Sequence, residues 1–270
     1  MNYYNYICSK VADFNYLFGV IDYKYPNVDF ANMNKFNNTS TEFNSSQVKL
    51  RFSLINEEIK ELQQAILDKN CVEIIDALCD ILYVVAGAKA YFNLPIDDFL
   101  EKQIKELYVN IETNGNLKEQ ITNIESFLND DTCIKELNKI YDSNEELNNL
   151  TDAFLNKLNI IYHPIFIKHL VVMYDNCLDK IVKSIFTISN KFNIDIIKLF
   201  DIVHSSNMTK ICETEIDAIE TVEWYKENEK RYSEPSYRKI NYNDNDYYVI
   251  YDKDSKKILK SIKYISVKFF

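Results

Sequence analysis

Apolar residues recur along this chain at three- and four-residue intervals, in runs long enough for helices. The spacing predicts a first helix over residues 3–18, with Tyr6, Val11, Phe14, Leu17 and Phe18 available to pack and Gly19 as its stop. Residues 20–46 are polar and rich in asparagine and read as a crossing loop. A second helix follows from about Ser46 to Lys69, with Ile55, Ile59, Leu62 and Ile66 as its core stripe. A third runs from about Cys71 to Phe92 and is ended by Asn93-Leu94-Pro95. Residues 97–142 read as two or three shorter amphipathic helices around an Asn114-Gly115-Asn116 turn, a scaffold without recognisable chemistry. Further helices are predicted to about residue 229. The pattern then changes: Tyr247–Tyr251 and Ile258–Lys260, bracketing Asp252–Lys257, read as a small β-hairpin. With only 3 Gly and 4 Pro, the fold class predicted is all-α, with a C-terminal hairpin extension over 231–270.

The third helix has two unlike faces. Ile74, Leu78, Ile81, Leu82 and Val85 form its apolar stripe, while Glu73, Asp76, Asp80, Tyr83 and Gly87 share the other side. The second helix adds Glu58 and Glu61 at i, i+3 spacing, with Arg51 two turns earlier on the same side. Like charges so placed cost about 0.2–0.5 kcal/mol each on an isolated helix. No Lys or Arg occurs between Asn70 and Ala88 to offset them. A solvated face would mix signs and would not carry an aromatic and a glycine, so these carboxylates point to a lined cavity. A hard divalent cation, which takes oxygen ligands and shares them with phosphate, is the matching partner.

Composition narrows the classes further. In 270 residues with a net charge of −10 there is no basic face for a nucleic acid polymer. No apolar span reaches 18 residues, so no membrane partner is expected. The N-terminus does not read as a signal peptide. Six scattered cysteines without a C-x-x-C pair read as small buried hydrophobes in a reducing, cytoplasmic compartment. His163, His169 and His204 lie at no metal-ligand spacing with acids and read as packing or surface residues.

The chain also resembles itself. Glu145–Lys157 lies over Glu57–Lys69, and Lys191-Phe192-Asn193-Ile194 over Tyr91-Phe92-Asn93-Leu94, with an offset that grows from 88 to 100 residues. The second copy has lost the acids: Asn149, Met173, Asn176 and Lys180 stand opposite Glu61, Glu73, Asp76 and Asp80, and Glu146 alone persists opposite Glu58. The organisation expected is one domain over 1–230, with copy one at about 47–100 holding the site and a degenerate copy two at about 144–210. Such a chain would be a dimer of pseudo-dimers or a monomer that mimics a dimer.

Five segments in this order resemble the all-α nucleotide pyrophosphohydrolase superfamily. It includes MazG-type enzymes, dimeric dUTPases and phosphoribosyl-ATP pyrophosphohydrolase-like proteins of bacteria, phages and large DNA viruses. Val11–Gly19 is similar to its first helix, and Leu50–Leu62 to the E-E-x-x-E helix. Glu73–Gly87 is similar to the E-x-x-D helix, and Ser206-Asn207-Met208-Thr209-Lys210 to an S-N-M-[ST]-K element. Tyr248–Tyr264 is similar to a C-terminal hairpin.

The resemblance implies a MazG-like helical bundle that hydrolyses a nucleoside triphosphate to the monophosphate and pyrophosphate with Mg²⁺, or Mn²⁺ in its place. Phosphoribosyl-ATP or a damaged nucleotide is the alternative substrate, and a non-catalytic scaffold of the same fold the alternative class. It implies Glu58, Glu61, Glu73 and Asp76 as metal ligands with Asp80 as a fifth acid, and Glu58 or Glu61 as base. Asn207 and Lys210 would contact the nucleotide, with Tyr83 at base or sugar and Arg51 as a weaker phosphate contact. In the short members the S-N-M-[ST]-K element follows soon after the acidic helix; here more than a hundred residues intervene.

Overall fold

The computed structural model describes residues 1–21, 45–109, 111, 118, 130–157, 164–242 and 244–269. Among these the elements run α1 (Tyr3–Leu17), α2 (Ser45–Leu67), α3 (Cys71–Phe92), α4 (Asp98–Tyr108), α5 (Asp131–Lys157), α6 (Pro164–Lys191), α7 (Ile196–Met208) and α8 (Glu215–Asn228). Two strands follow, β1 (Pro235–Tyr242) and β2 (Asn245–Asp252).

Local chemistry sets the helix ends. The α1 helix stops at Gly19, whose φ of 61° is left-handed, and a Cβ there would sit 3.2 Å from Arg238 Nη2. Arg238 reaches in from β1 to bond the carbonyls of Phe18 and Gly19, fastening the hairpin to the first helix. Lys69 takes a left-handed conformation that turns α2 back, and the Asn70 side chain caps α3 by accepting from Glu73 N. Asn93 and Asn193 end α3 and α6 in the same way: each is left-handed, and each following amide bonds back, Leu94 N to Lys89 O at 2.9 Å and Ile194 N to Ser189 O at 2.8 Å.

The bundle is two helical hairpins set against each other. The α2–α3 and α5–α6 hairpins pack with α2 on α5 and α3 on α6, and α1 and α7 cover the remaining flank of α3. The predicted stripe of α3 is fully committed to the interior, with Ile74, Leu78, Ile81, Leu82 and Val85 at 1% exposure or less. Lys89 is also fully buried. Its ammonium pairs with Asp175 at 2.8 Å and Asp179 at 2.5 Å on α6 and donates to Pro95 O, tying the hairpins together. Those two carboxylates turn a buried cation from a liability into a link.

Two sequence readings need correction. Residues 131–142 are not separate scaffold: α5 runs unbroken from Asp131 to Lys157, because no Gly or Pro interrupts it, so they belong to the second hairpin. The Asn114-Gly115-Asn116 turn, His163 and most of the 20–46 loop lie outside the described residues. The C-terminal hairpin is present, but its strands differ. Residues 245–252 pair with 235–242, Pro235 opposite Asp252, and the turn passes through left-handed Asp244. Residues 258–260 make only a bridge from Ile258 to Tyr251 and a bond from Leu259 N to Ile250 O. Under the hairpin and α8 lies a small second core of Cys212, Ala218, Val222, Tyr225, Ile250 and Leu259. The six cysteines are free thiols, all buried or half-buried. Among the described residues, no helix is long and apolar enough to cross a membrane.

Candidate functional site

A cavity of about 750 Å³ opens between α1, α2, α3, α7 and the C-terminal region. The two acidic helices supply one wall. Glu57, Glu58 and Glu61 come from α2, and Glu73, Asp76 and Asp80 from α3. They meet because the apolar stripes of the two helices pack on each other and turn the acidic faces the same way. Tyr83 and Gly87 continue the α3 face, so all five residues assigned from sequence to its non-core side line this one space.

Asn207 and Lys210 line it too, although more than a hundred residues separate them from Asp80. Their placement follows from the Ser-Asn-Met-Thr-Lys element. Ser206 Oγ donates to Ile265 O at 2.7 Å, and Thr209 Oγ1 accepts from Ile265 N at 2.9 Å. With Ser206 and Thr209 clamping the C-terminal segment, the i, i+3 partners Asn207 and Lys210 are left to the cavity. Asn207 is buried. Arg51 is buried as well, with its guanidinium 4.6 Å from the centre of the Tyr91 ring. Tyr83 packs edge-on to Phe14 and stacked on Phe200, and its hydroxyl stands 3.3 Å from His204 Nδ1. The hydroxyl is thus engaged, and Tyr83 offers the cavity mainly its ring. His204 is a packing residue, as expected; burial drives its pKa down to about 4. His169 is exposed.

The acidic wall is electrostatically uncomfortable. Burial and then the Glu73 and Glu61 charges push the Asp76 carboxyl up to about 6. Burial, Asp80, Glu61 and Glu57 raise Glu58 above the usual carboxylate range, and burial followed by Asp76 does the same for Asp80. Across the cavity, burial depresses the Lys210 ammonium while Asp80 supports its charge. One oxygen of Asp76, Oδ1, is buried with no hydrogen-bond partner among the described residues. As the side chains stand, no three His, Cys, Asp or Glu of the described residues converge into a closed metal cage. The donor set still fits a hard divalent cation: it is all oxygen, mutually repelling, and includes an orphaned buried acceptor.

Sequence reasoning passed over part of the lining. Asn15 on α1 is buried, and its Nδ2 donates to Gly87 O at 3.4 Å. Trp224 and Arg231 stand near the end of α8 and beyond it, and Lys256, Lys257 and Lys260 come from the segment after β2. The lysine cluster was visible within the hairpin-like motif, but nothing local says which way it faces.

Residues 32–106, which carry both acidic helices, match the family described as phosphoribosyl-ATP pyrophosphohydrolase. An uncharacterized protein, L479, of Acanthamoeba polyphaga mimivirus is 33% identical over 237 residues, covering 84% of this chain and 83% of its own length. No solved structure matches the chain.

Proposed function

Because the chain belongs to the phosphoribosyl-ATP pyrophosphohydrolase family, within the MazG-like nucleotide pyrophosphohydrolases, we propose that it is a Mg²⁺-dependent nucleoside triphosphate pyrophosphohydrolase. Cleavage of a nucleotide phosphoanhydride is the activity its family carries. The finer reading is that it converts a nucleoside or deoxynucleoside triphosphate to the monophosphate and pyrophosphate, for control of nucleotide pools in the cytoplasm. One observation carries it: six carboxylates of two helices face Lys210 and Asn207 across a single cavity of nucleotide size.

In this reading Glu58, Glu61, Glu73 and Asp76 hold Mg²⁺, with Asp80 beside them. The ion would neutralise phosphate charge and acidify water. The chain's own residues do the rest. Glu58 or Glu61 orients a water and takes its proton as the water oxygen attacks the α-phosphorus in line. The bond from that phosphorus to the bridging oxygen breaks, and pyrophosphate leaves. Lys210 lies within reach of the phosphates, and Arg51 adds charge behind the α2 wall. The Tyr83 ring, Phe14 and Val203 give the base or sugar an apolar bed, with the Asn207 amide lining the same space as a hydrogen-bonding group.

Phosphoribosyl-ATP, the family's namesake substrate, contains the same triphosphate unit and is the second reading. The test is pyrophosphate release from a panel of NTPs, dNTPs and phosphoribosyl-ATP, with Mg²⁺ and with EDTA. Metal-dependent release from members of the panel supports the reading; none from any of them, with the protein folded, overturns it.

The alignment of Glu145–Lys157 with Glu57–Lys69 supports an internal duplication, copy one at about 47–100 and copy two at about 144–210 within a 1–230 domain. Asn56 and Asn144, opposite each other in the aligned copies, bond at 3.0 Å, as residues beside a pseudo-twofold axis do. In this reading the chain is a monomer that mimics a dimer or half of a larger assembly.

A further inference from the structure

The cavity's second charged wall has no role in the reading above. Lys256, Lys257 and Lys260 line it together with the acids, all from the segment after β2. This segment is pinned. Asp252 accepts from Ser255 N and Oγ and from Glu234 N, and fixes the turn in which Lys256 takes a left-handed φ of 63°. Leu259 and Ser261 are buried on either side of Lys260, and Lys260 N donates to Tyr225 Oη at 3.1 Å. Alternation along the extended chain therefore turns Lys260 away from the small core. Its ammonium stands 4.6 Å from the centre of the Tyr264 ring. Of the three lysines, Lys257 is the one in a salt bridge among the described residues, to Glu57 at 2.7 Å.

We propose that Lys256, Lys257 and Lys260 form the wall that receives the β- and γ-phosphates, and so the departing pyrophosphate. The proposal rests on the pyrophosphohydrolase reading and deepens it. A triphosphate brings about four negative charges beside six carboxylates, and one divalent ion does not balance them. Compact ammonium groups on flexible stems suit phosphate oxygens whose position changes as the bond breaks. The monophosphate product, held by its base and its α-phosphate over the acidic wall, does not depend on these lysines.

The chain's single tryptophan, Trp224, lines the same cavity and reports binding by its fluorescence. The full-length protein is titrated with magnesium pyrophosphate and, separately, with the five common deoxynucleoside monophosphates. In K256A/K260A, pyrophosphate affinity is expected to fall at least tenfold while monophosphate affinities stay within about twofold. K256R/K260R is expected to restore most of the loss. K263A/K268A, which removes two lysines of the same segment outside the cavity, should change neither. Unchanged pyrophosphate affinity in K256A/K260A, an equal fall for both ligand classes, or no pyrophosphate binding by the unaltered chain overturns the proposal. Lysine-dependent pyrophosphate binding without hydrolysis of any triphosphate would instead overturn the pyrophosphohydrolase reading and leave this wall standing.

Discussion

The α2–α3 and α5–α6 hairpins share a shape and differ in charge. Both are antiparallel helix pairs, both end on a left-handed asparagine, and they touch through Asn56 and Asn144. At matching positions the first places Glu58 near Asp80, and burial followed by the Asp80 charge raises the proton affinity of Glu58. The second places Glu146 near Lys180, in a salt bridge at 3.2 Å. One hairpin thus crowds like charges onto a cavity, with most of the facing cations supplied from outside it, and the other neutralises the equivalent spot on an open surface. Repulsion costs stability, so the first arrangement persists only where something offsets it, whereas an exposed ion pair is worth little to either state.

Four experiments sharpen or break this contrast. The largest effect is expected on turnover. E61Q/D76N should lower Mg²⁺-dependent pyrophosphate release at least about a thousandfold, given how strongly such groups act on the barrier. The matched change in the other hairpin, N149A/N176A, alters two exposed residues and should leave the rate within about twofold. Comparable losses in the two double variants would end the distinction between site and scaffold.

Next comes the link between the hairpins. K89M strands Asp175 and Asp179 beside an apolar side chain and should cost about 3–5 kcal/mol of unfolding free energy in a urea titration. K89M/D175N/D179N, with no charge left unpaired, should recover much of it. If K89M alone unfolds like the unaltered protein, the triad does not hold the hairpins together.

The third effect is pH-dependent. Asp76 titrates near 6 in the folded chain, and Glu58 and Asp80 are also raised, so between about pH 4 and 6 and above the folded state binds more protons than the unfolded state. Stability of the metal-free protein should therefore rise as pH falls from 8 towards 5, by about 1 kcal/mol or more. His204 works the other way: its folded pKa of about 4 lies below the unfolded value, so stability is lost as pH falls through that range. Melting curves in EDTA and in Mg²⁺, compared at each pH, cancel the histidine and isolate the acidic wall. The gap between them should widen as pH rises, and a constant gap would show that the wall does not bind the ion.

The smallest effect belongs to the second hairpin. K180A should change stability by less than about 0.5 kcal/mol, because the pair with Glu146 is solvent-exposed. A larger loss in chemical denaturation would mean that the balanced charges hold the scaffold together.

How much of this was legible in the chain itself depends on distance along it. The acidic wall was legible because Glu58, Glu61, Glu73, Asp76 and Asp80 sit on two successive helices, and helical periodicity alone puts them on one side. The helix limits at Asn70 and Asn93 were legible for a similar reason, since caps are chosen by the residues beside them. The opposite wall was not. Lys256 and Lys260 lie about two hundred residues from Glu58, and they reach the cavity because Ser206 and Thr209 hold the C-terminal segment and Arg238 fastens β1 to α1. The partner of β2 was missed because strand pairing is a choice between distant segments that no local period encodes. The bond from Lys89 to Asp175 and Asp179 is likewise a fact of packing between two hairpins. Short-range periodicity therefore determined the helices and the acidic face they present. Tertiary packing decided which cations face it, because a charge's partner is set by distance in space and not by distance along the chain.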